Sequence, residues 1–159
     1  MPAQSDRAAV LINLLNTVDI EAGIDLLDSA ESFARWSRSH GFQPGDRERT
    51  REVRDAIRAA LRGQRGPLPA IAVAVRLDQT GRPRLAPADI AQAAMAEAVE
   101  LVATGDWDRV KLCPADDCLE AFYDASRNRS RIWCDMADCG NLAKVRKFRS
   151  RSTEKTDQP

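Results

Sequence analysis

The sequence predicts an α+β fold, with a mostly helical N-terminal domain that carries a small β-hairpin and a compact cysteine-rich module after it. Three observations carry that prediction. Apolar residues recur at helical spacing in four separate stretches before residue 106, and one short stretch between them switches to alternation. All four cysteines fall within 27 residues near the C-terminal end, with none in the first 112. At 159 residues the chain has room for one modest domain and an appendage, not for two large domains. Hydrophobic residues at 43% and charged ones at 30% describe an ordinary globular protein, whose 5% aromatic content leaves the core to Ala, Leu, Val and Ile. No apolar run approaches the roughly 18 to 20 residues of a membrane span. Met1 to Asp6 lacks the basic flank and apolar stretch of a signal peptide, so a cytoplasmic protein is expected.

The elements follow in order. Asp6 to Val18 reads as a first helix, with Val10, Leu11, Leu14 and Leu15 on one stripe; Thr17-Val18-Asp19 and Gly23 break it. Asp28-Ser29-Ala30-Glu31 suits a helix start in which Asp28 caps the free N–H groups and Glu31 reciprocates. That second helix runs to about Ser39, buries Phe33 and Trp36, and stops at Gly41. A third, from about Gly45 to Leu61, presents Val53, Ile57 and Leu61 on one face, its arginines forming a solvated surface. Ile71, Val73 and Val75 alternate with alanines and read as a strand, turned by Asp78-Gln79-Thr80-Gly81 and answered by Arg82 to Leu85. A long Ala-rich helix starts after Pro87-Ala88-Asp89, is apolar at Ile90, Ala94, Ala98, Leu101 and Val102, and ends at Gly105. The domain division expected is 1–109, 110–151 and a disordered tail at 152–159.

Net charge is zero, but its distribution is uneven. Eight basic residues lie between Arg127 and Arg151, against only Asp135 and Asp138. A neutral chain with one basic end can still present a footprint for phosphate.

The cysteines are spaced Cys113-x4-Cys118-x15-Cys134-x4-Cys139. Two close pairs separated by a mid-length loop can bring four thiolates to one tetrahedral zinc ion. Four free core thiols would scatter along the chain, and two disulfides suit secreted proteins. Phe122-Tyr123-Asp124 and Arg131-Ile132-Trp133 look like two short strands, and Cys139-Gly140 opens a basic helix to about Arg149. A knuckle, a hairpin and a helix N-terminus around one metal make a treble-clef-like zinc finger. Four Cys ligands close the shell, so the zinc would be structural and would add on the order of 10 kcal/mol to folding of the module.

From Trp133-Cys134-Asp135-Met136-Ala137-Asp138-Cys139-Gly140-Asn141 through Ala143-Lys144-Val145-Arg146-Lys147-Phe148-Arg149, the sequence resembles the CGNR zinc finger family. Upstream Lys111-Leu112-Cys113-Pro114 and Phe122-Tyr123-Asp124-Ala125-Ser126-Arg127-Asn128 belong to the same likeness. The preceding part resembles the ABATE domain, with Leu14-Leu15-Asn16-Thr17 at the family's Leu/Val-Asn-Thr signature. The resemblance implies one zinc on Cys113, Cys118, Cys134 and Cys139, and a bacterial transcription regulator that binds DNA through the finger. It departs at one position: the name-giving Arg is Leu142, which leaves Lys144 or Arg146 to supply that contact.

At about 100° per residue, the last helix would dock Leu142, Val145 and Phe148 on the hairpin and present Lys144, Lys147 and Arg151 to solvent, flanked by Arg146 and Arg149. Arg127, Arg129 and Arg131 would extend the patch, with Asn141 and Asn128 as polar readers. The N-terminal domain shows no phosphate-cradling Gly-rich loop and no acid–base constellation, so no enzyme is expected. His40, the only histidine, suits a helix C-terminus; Asp25, Asp28 and Glu31 suit helix-start chemistry; Asn13 and Asn16 suit buried hydrogen bonding better than a ligand pocket, and Trp36 and Trp107 the core. Two functions stand: a DNA-binding regulator with a sensory or dimerising N-terminal domain open to a small-molecule signal, or a module whose finger docks another protein.

Overall fold

The computed structural model describes residues 8–67 and 69–154, with side chains through Arg146. The element order is α1 (Ala9–Leu15), β1 (Val18–Asp19), β2 (Ile24–Asp25), α2 (Ala30–Ser39), α3 (Arg47–Leu61), β3 (Ala74–Leu77), β4 (Pro83–Ala86), α4 (Ile90–Thr104), a 3-10 turn (Trp107–Arg109), β5 (Val110–Leu112), β6 (Ala121–Tyr123) and α5 (Cys139–Glu154). Among the described residues the sheets are three separate antiparallel hairpins, β1–β2, β3–β4 and β5–β6. The mixed helix-and-hairpin architecture is the one the sequence predicts. Among the described residues no helix is long and apolar enough to cross a membrane.

The core lies where α1, α3 and α4 meet. Leu11, Leu14 and Leu15 of α1, Val53 of α3, and Ala94, Ala98 and Leu101 of α4 are buried together. Alanine on α4 is what lets the helices come close, in keeping with the scarcity of aromatic residues. A satellite cluster of Leu27, Phe33 and Ile90 seats α2, with Trp36 packed against it. Val110 of β5 and Ala121 of β6 belong to the main core too, with Leu112, Tyr123 and Trp107 packed on it. The cysteine module is therefore built partly inside the helical domain.

Several expectations need correction. The first helix ends at Leu15, not Val18: Thr17 turns its hydroxyl back onto the Leu14 carbonyl at 2.8 Å, and Val18 enters the small β1–β2 hairpin instead. Asp6 lies outside the described residues. The cap of α2 is Ser29, whose hydroxyl accepts the Ser32 N–H; the Asp28 carboxylate faces Arg51 at 3.2 Å. On α3 the arginines do not all face water, since Arg54 and Arg58 are 3% and 8% exposed. Val102, assigned to the buried stripe of α4, is 62% exposed.

Asp46 and Asp89 cap α3 and α4 by accepting N–H groups three residues on. Other expectations hold. Gly105 ends α4 at φ +72°, where a side chain would be strained. The expected hairpin forms across the 78–81 turn, pairing Val75 with Leu85 and Leu77 with Pro83, but its first strand begins only at Ala74, so Ile71 and Val73 lie outside it. His40 is the C-cap of α2.

A candidate metal centre joined to the helical core

Strand β5 delivers Cys113, and the chain then turns back through Pro114 to Cys118 before returning as β6. The Cys113 N–H bonds the Glu120 carbonyl at 2.8 Å and closes this knuckle. Leu119 sits at φ +55°, a left-handed position that costs a non-glycine residue about 1 kcal/mol. The second pair comes from the turn before α5: Asp135 accepts the N–H groups of Ala137 and Asp138 on its carboxylate and that of Gly140 on its carbonyl. Gly140 is buried, and a Cβ there would lie 2.8 Å from the Met136 sulfur and 3.3 Å from Trp133 Cδ1. Glycine lets the first turn of α5 run close beneath Trp133.

The four Sγ atoms lie within 4.8 Å of one another. Cys118 and Cys134 are 3.5 Å apart, and Cys134 and Cys139 3.7 Å. A tetrahedral zinc with Zn–S bonds of about 2.3 Å sets its sulfurs about 3.8 Å apart. A disulfide needs about 2.05 Å, and all four thiols are free. The donor set and its spacing thus fit one structural zinc ion, held by Cys113, Cys118, Cys134 and Cys139.

Left to themselves the sulfurs resist sharing negative charge. Burial pushes the Cys113 thiol up, but N–H groups of Cys134 and Ala115 outweigh it, and its net shift is downward. Burial and the neighbouring sulfurs drive Cys134 upward. Burial is also the largest influence on Cys139, pushed up to about 12. A divalent cation held by the four sulfurs would favour their ionised form and let all four bind as thiolates.

Beside the metal ligands lies a buried ion pair that the sequence reading missed. Asp124 is fully buried, and its Oδ2 takes Lys111 Nζ at 2.7 Å and the Arg131 N–H at 2.9 Å; its Oδ1 takes the Ser126 N–H at 2.9 Å. Burial would raise this carboxyl, but Lys111 and the Ser126 and Arg131 donors hold it well below the usual carboxylate range. Lys111 also donates to the carbonyls of Arg129 and Arg131, at 2.6 and 2.9 Å. Its ammonium has three donors and three acceptors. The expected strand at Arg131–Trp133 does not form because the backbone groups of Arg131 are already taken by Asp124 and Lys111. Strand β6 pairs with β5 instead, with Lys111 opposite Phe122.

On its other edge β6 meets Asn16. The Asn16 Nδ2 donates to the Ala121 carbonyl at 2.9 Å, and its Oδ1 accepts the Ala121 N–H at 2.7 Å. Arg58 makes a second link, donating to the carbonyls of Leu15 at 2.7 Å and Leu119 at 3.0 Å. Asn16 is thus the structural residue expected; Asn13 is exposed.

The basic residues predicted as nucleic-acid contacts divide into two sets. Arg127 and Lys144 are exposed. The others with described side chains have local partners: Arg129 lies 3.8 Å from Asp106 and 4.0 Å from Asp108, and Arg146 is 2.9 Å from Asp117. Arg131 lies 4.8 Å over the Phe122 ring and donates to the Trp133 and Cys134 carbonyls. Asn141 donates to the Ala137 carbonyl at 2.9 Å. Side chains of Lys147, Phe148, Arg149 and Arg151 lie outside the described residues. Leu142 and Val145 do not dock on a hairpin: they are 49% and 46% exposed. Helix α5 continues past Arg149 to Glu154, so residues 152–154, expected in a tail, are helical; residues 155–159 lie outside the description.

Comparison with known proteins agrees with the geometry. The profile of the CGNR zinc finger matches residues 109–152, spanning all four ligands. The ABATE profile, described as "Putative stress-induced transcription regulator", matches residues 8–105. No curated protein sequence matches the chain. With most of its length covered by one profile and its four thiols placed by the other, the chain belongs to the ABATE family and carries a CGNR zinc finger.

Proposed function

We propose that this protein regulates transcription by binding DNA through its zinc finger, with α5 and the Arg127–Arg131 loop as the contacting surface. The observation that carries the reading is the exposure of Lys144 and Arg127 on a module whose helix start is fixed by a metal ligand, Cys139. A helix anchored at one end meets the DNA backbone at little further cost in order. Arg146 adds to the surface by exchanging an exposed carboxylate, Asp117, for phosphate. Arg131, tied to backbone carbonyls, shapes the loop, and Arg129 is held toward Asp106 and Asp108.

The N-terminal domain is the sensing part in this reading. A cleft of about 320 Å³ is lined by Asn16, Val18, Asp19 and Glu21 on one side and Cys118 and Glu120 on the other. A small molecule there would touch both parts at once.

Titrating zinc-loaded protein onto labelled duplex DNA across a salt series tests the reading. Log affinity should fall with log salt by about 0.9 per phosphate contacted. The double variant Lys144→Glu, Arg127→Glu should lose at least tenfold in affinity while keeping its zinc. Binding that ignores both salt and charge reversal would sink the proposal.

Exposed apolar side chains favour a second reading, a finger that docks a protein. Ile132, Met136, Leu142 and Val145 are each 46 to 60% exposed, and Leu142 lines a groove with Pro114, Trp133 and Ala143. Leu142→Arg separates the two. On the regulator reading it restores the family's basic residue and raises DNA affinity several-fold; on the docking reading it leaves DNA binding negligible and removes partner capture.

A further inference from the structure

The β3–β4 hairpin stands apart from the core. Every residue of β3 is exposed, with Val75 at 62% and Leu77 at 71%. An isolated two-stranded hairpin is marginal in water, and a free apolar edge is a template for another strand.

The hydrogen-bond parity shows which groups that edge offers. The Asp78 N–H bonds the Arg82 carbonyl at 2.8 Å. Leu77 and Pro83, the next pair, must then direct their backbone groups away from each other, as a proline without an N–H requires. Alternation makes Arg76–Arg84 a bonded pair and Val75–Leu85 an outward one. The outer edge of β3 therefore presents the N–H and C=O of Val75 and Leu77. On β4 the corresponding edge is blunted by Pro83.

We infer that β3 pairs with β3 of a second copy of this chain, antiparallel about a twofold axis through Val75. Because only the odd-numbered residues face outward, odd must pair with odd, and of the registers this allows, an axis through Val75 or Arg76 keeps the pairing centred on β3. The sequence around Val75 is self-complementary: Val73 falls opposite Leu77 of the second copy, Ala74 opposite Arg76, and Ala72 opposite Asp78. Apolar residues meet apolar ones on one face, and on the other each long charged side chain meets an alanine. An axis through Arg76 would set that arginine against itself, which leaves the axis through Val75. The contact gives one continuous four-stranded sheet. A pairing through a four-residue strand is expected to bury less than the roughly 1,200 Å² of standard complexes, so the dimer should be weak and form only at high protein concentration. The two fingers are then related by a twofold axis, whether or not they touch DNA.

Sedimentation equilibrium of the zinc-loaded full chain, without DNA, tests this. The apparent mass should rise with concentration from 17.6 kDa toward twice that value. Val75→Arg should stay at the single-chain mass, and Val102→Glu, on α4, should dimerise like the parent. Hydrogen exchange supplies a readout independent of any variant: the amides of Val75 and Leu77 should exchange at least tenfold more slowly at high protein concentration. A parent that stays monomeric at hundreds of micromolar would overturn the inference. So would a dimer in which those two amides exchange freely, or one that Val102→Glu dissociates.

Discussion

Asp25 and Arg54 meet in a two-pronged contact at 2.7 and 2.9 Å, with Thr17 adding a bond to the same guanidinium at 3.0 Å. Burial alone would raise the Asp25 carboxyl, but the donors of Arg54 and Leu27 outweigh it and hold the group below its ordinary range. Such a depressed carboxylate stabilises the fold above its unfolded pKa, near 3.9, and loses that contribution as pH falls through its folded value. Asp25→Asn should therefore cost about 3 kcal/mol at pH 7, because Arg54 stays buried with only the more exposed Asp55 left as counter-charge. In urea titrations the gap between parent and variant should stay constant above about pH 5 and narrow below about pH 4. A gap that widens in acid would refute the assignment. The ion pairs were the least legible part of the sequence. Arg54 and Arg58 sit in a run of alternating charge that reads as a solvated surface, and apart from the neighbouring Asp55 their partners lie 29 to 61 residues away. Cysteine ligands were legible because thiols are rare here and come in pairs; Lys111 and Asp124 carry no such mark.

At the scale of elements, α1 has no side-chain cap of its own. Glu97 of α4 takes the Leu11 N–H at 2.8 Å, so one helix caps another across the core. Gly45 shows how tightly the starts of α3 and α4 approach. It lies at φ +70°, and a Cβ there would come within 2.7 Å of the Asp89 side chain, itself the cap of α4. Gly45→Ala should destabilise the chain by about 2 kcal/mol, combining left-handed strain with displacement of that cap. Gly63→Ala, equally left-handed but with open space around it, should cost about 1 kcal/mol. Thermal melts of the two variants check the difference. Long periodic helices with caps and terminal glycines were readable to within a few residues. Short elements were not: β1 and β2 hold two residues each, and the strand expected at Arg131–Trp133 lost its backbone groups to side chains.

For the molecule as a whole, the main consequence is that helical domain and finger share a core. Val110 and Ala121 are buried among residues of α1, α3 and α4, and Asn16 and Arg58 bond across the junction. Zinc removal should therefore be felt everywhere. Calorimetry should show one transition with metal and one, lower by ten degrees or more, after chelation. Two separate transitions, with only the smaller shifted, would mean that the parts fold independently. Arg58→Ala should cost about 2 to 4 kcal/mol by leaving the Leu15 and Leu119 carbonyls unpaired, and Arg58→Lys should recover little, since one ammonium cannot span both.

The three bonds of Lys111 also bear on its reactivity. An amine acylates only through a free lone pair, and this nitrogen is engaged by a carboxylate and two carbonyls. Lys144, exposed on α5, carries no such protection. Under a mild acylating reagent Lys144 should be labelled readily and Lys111 only when its loop opens. The ratio of the two rates is then a clock for breathing of the finger, readable by mass spectrometry in a crude extract.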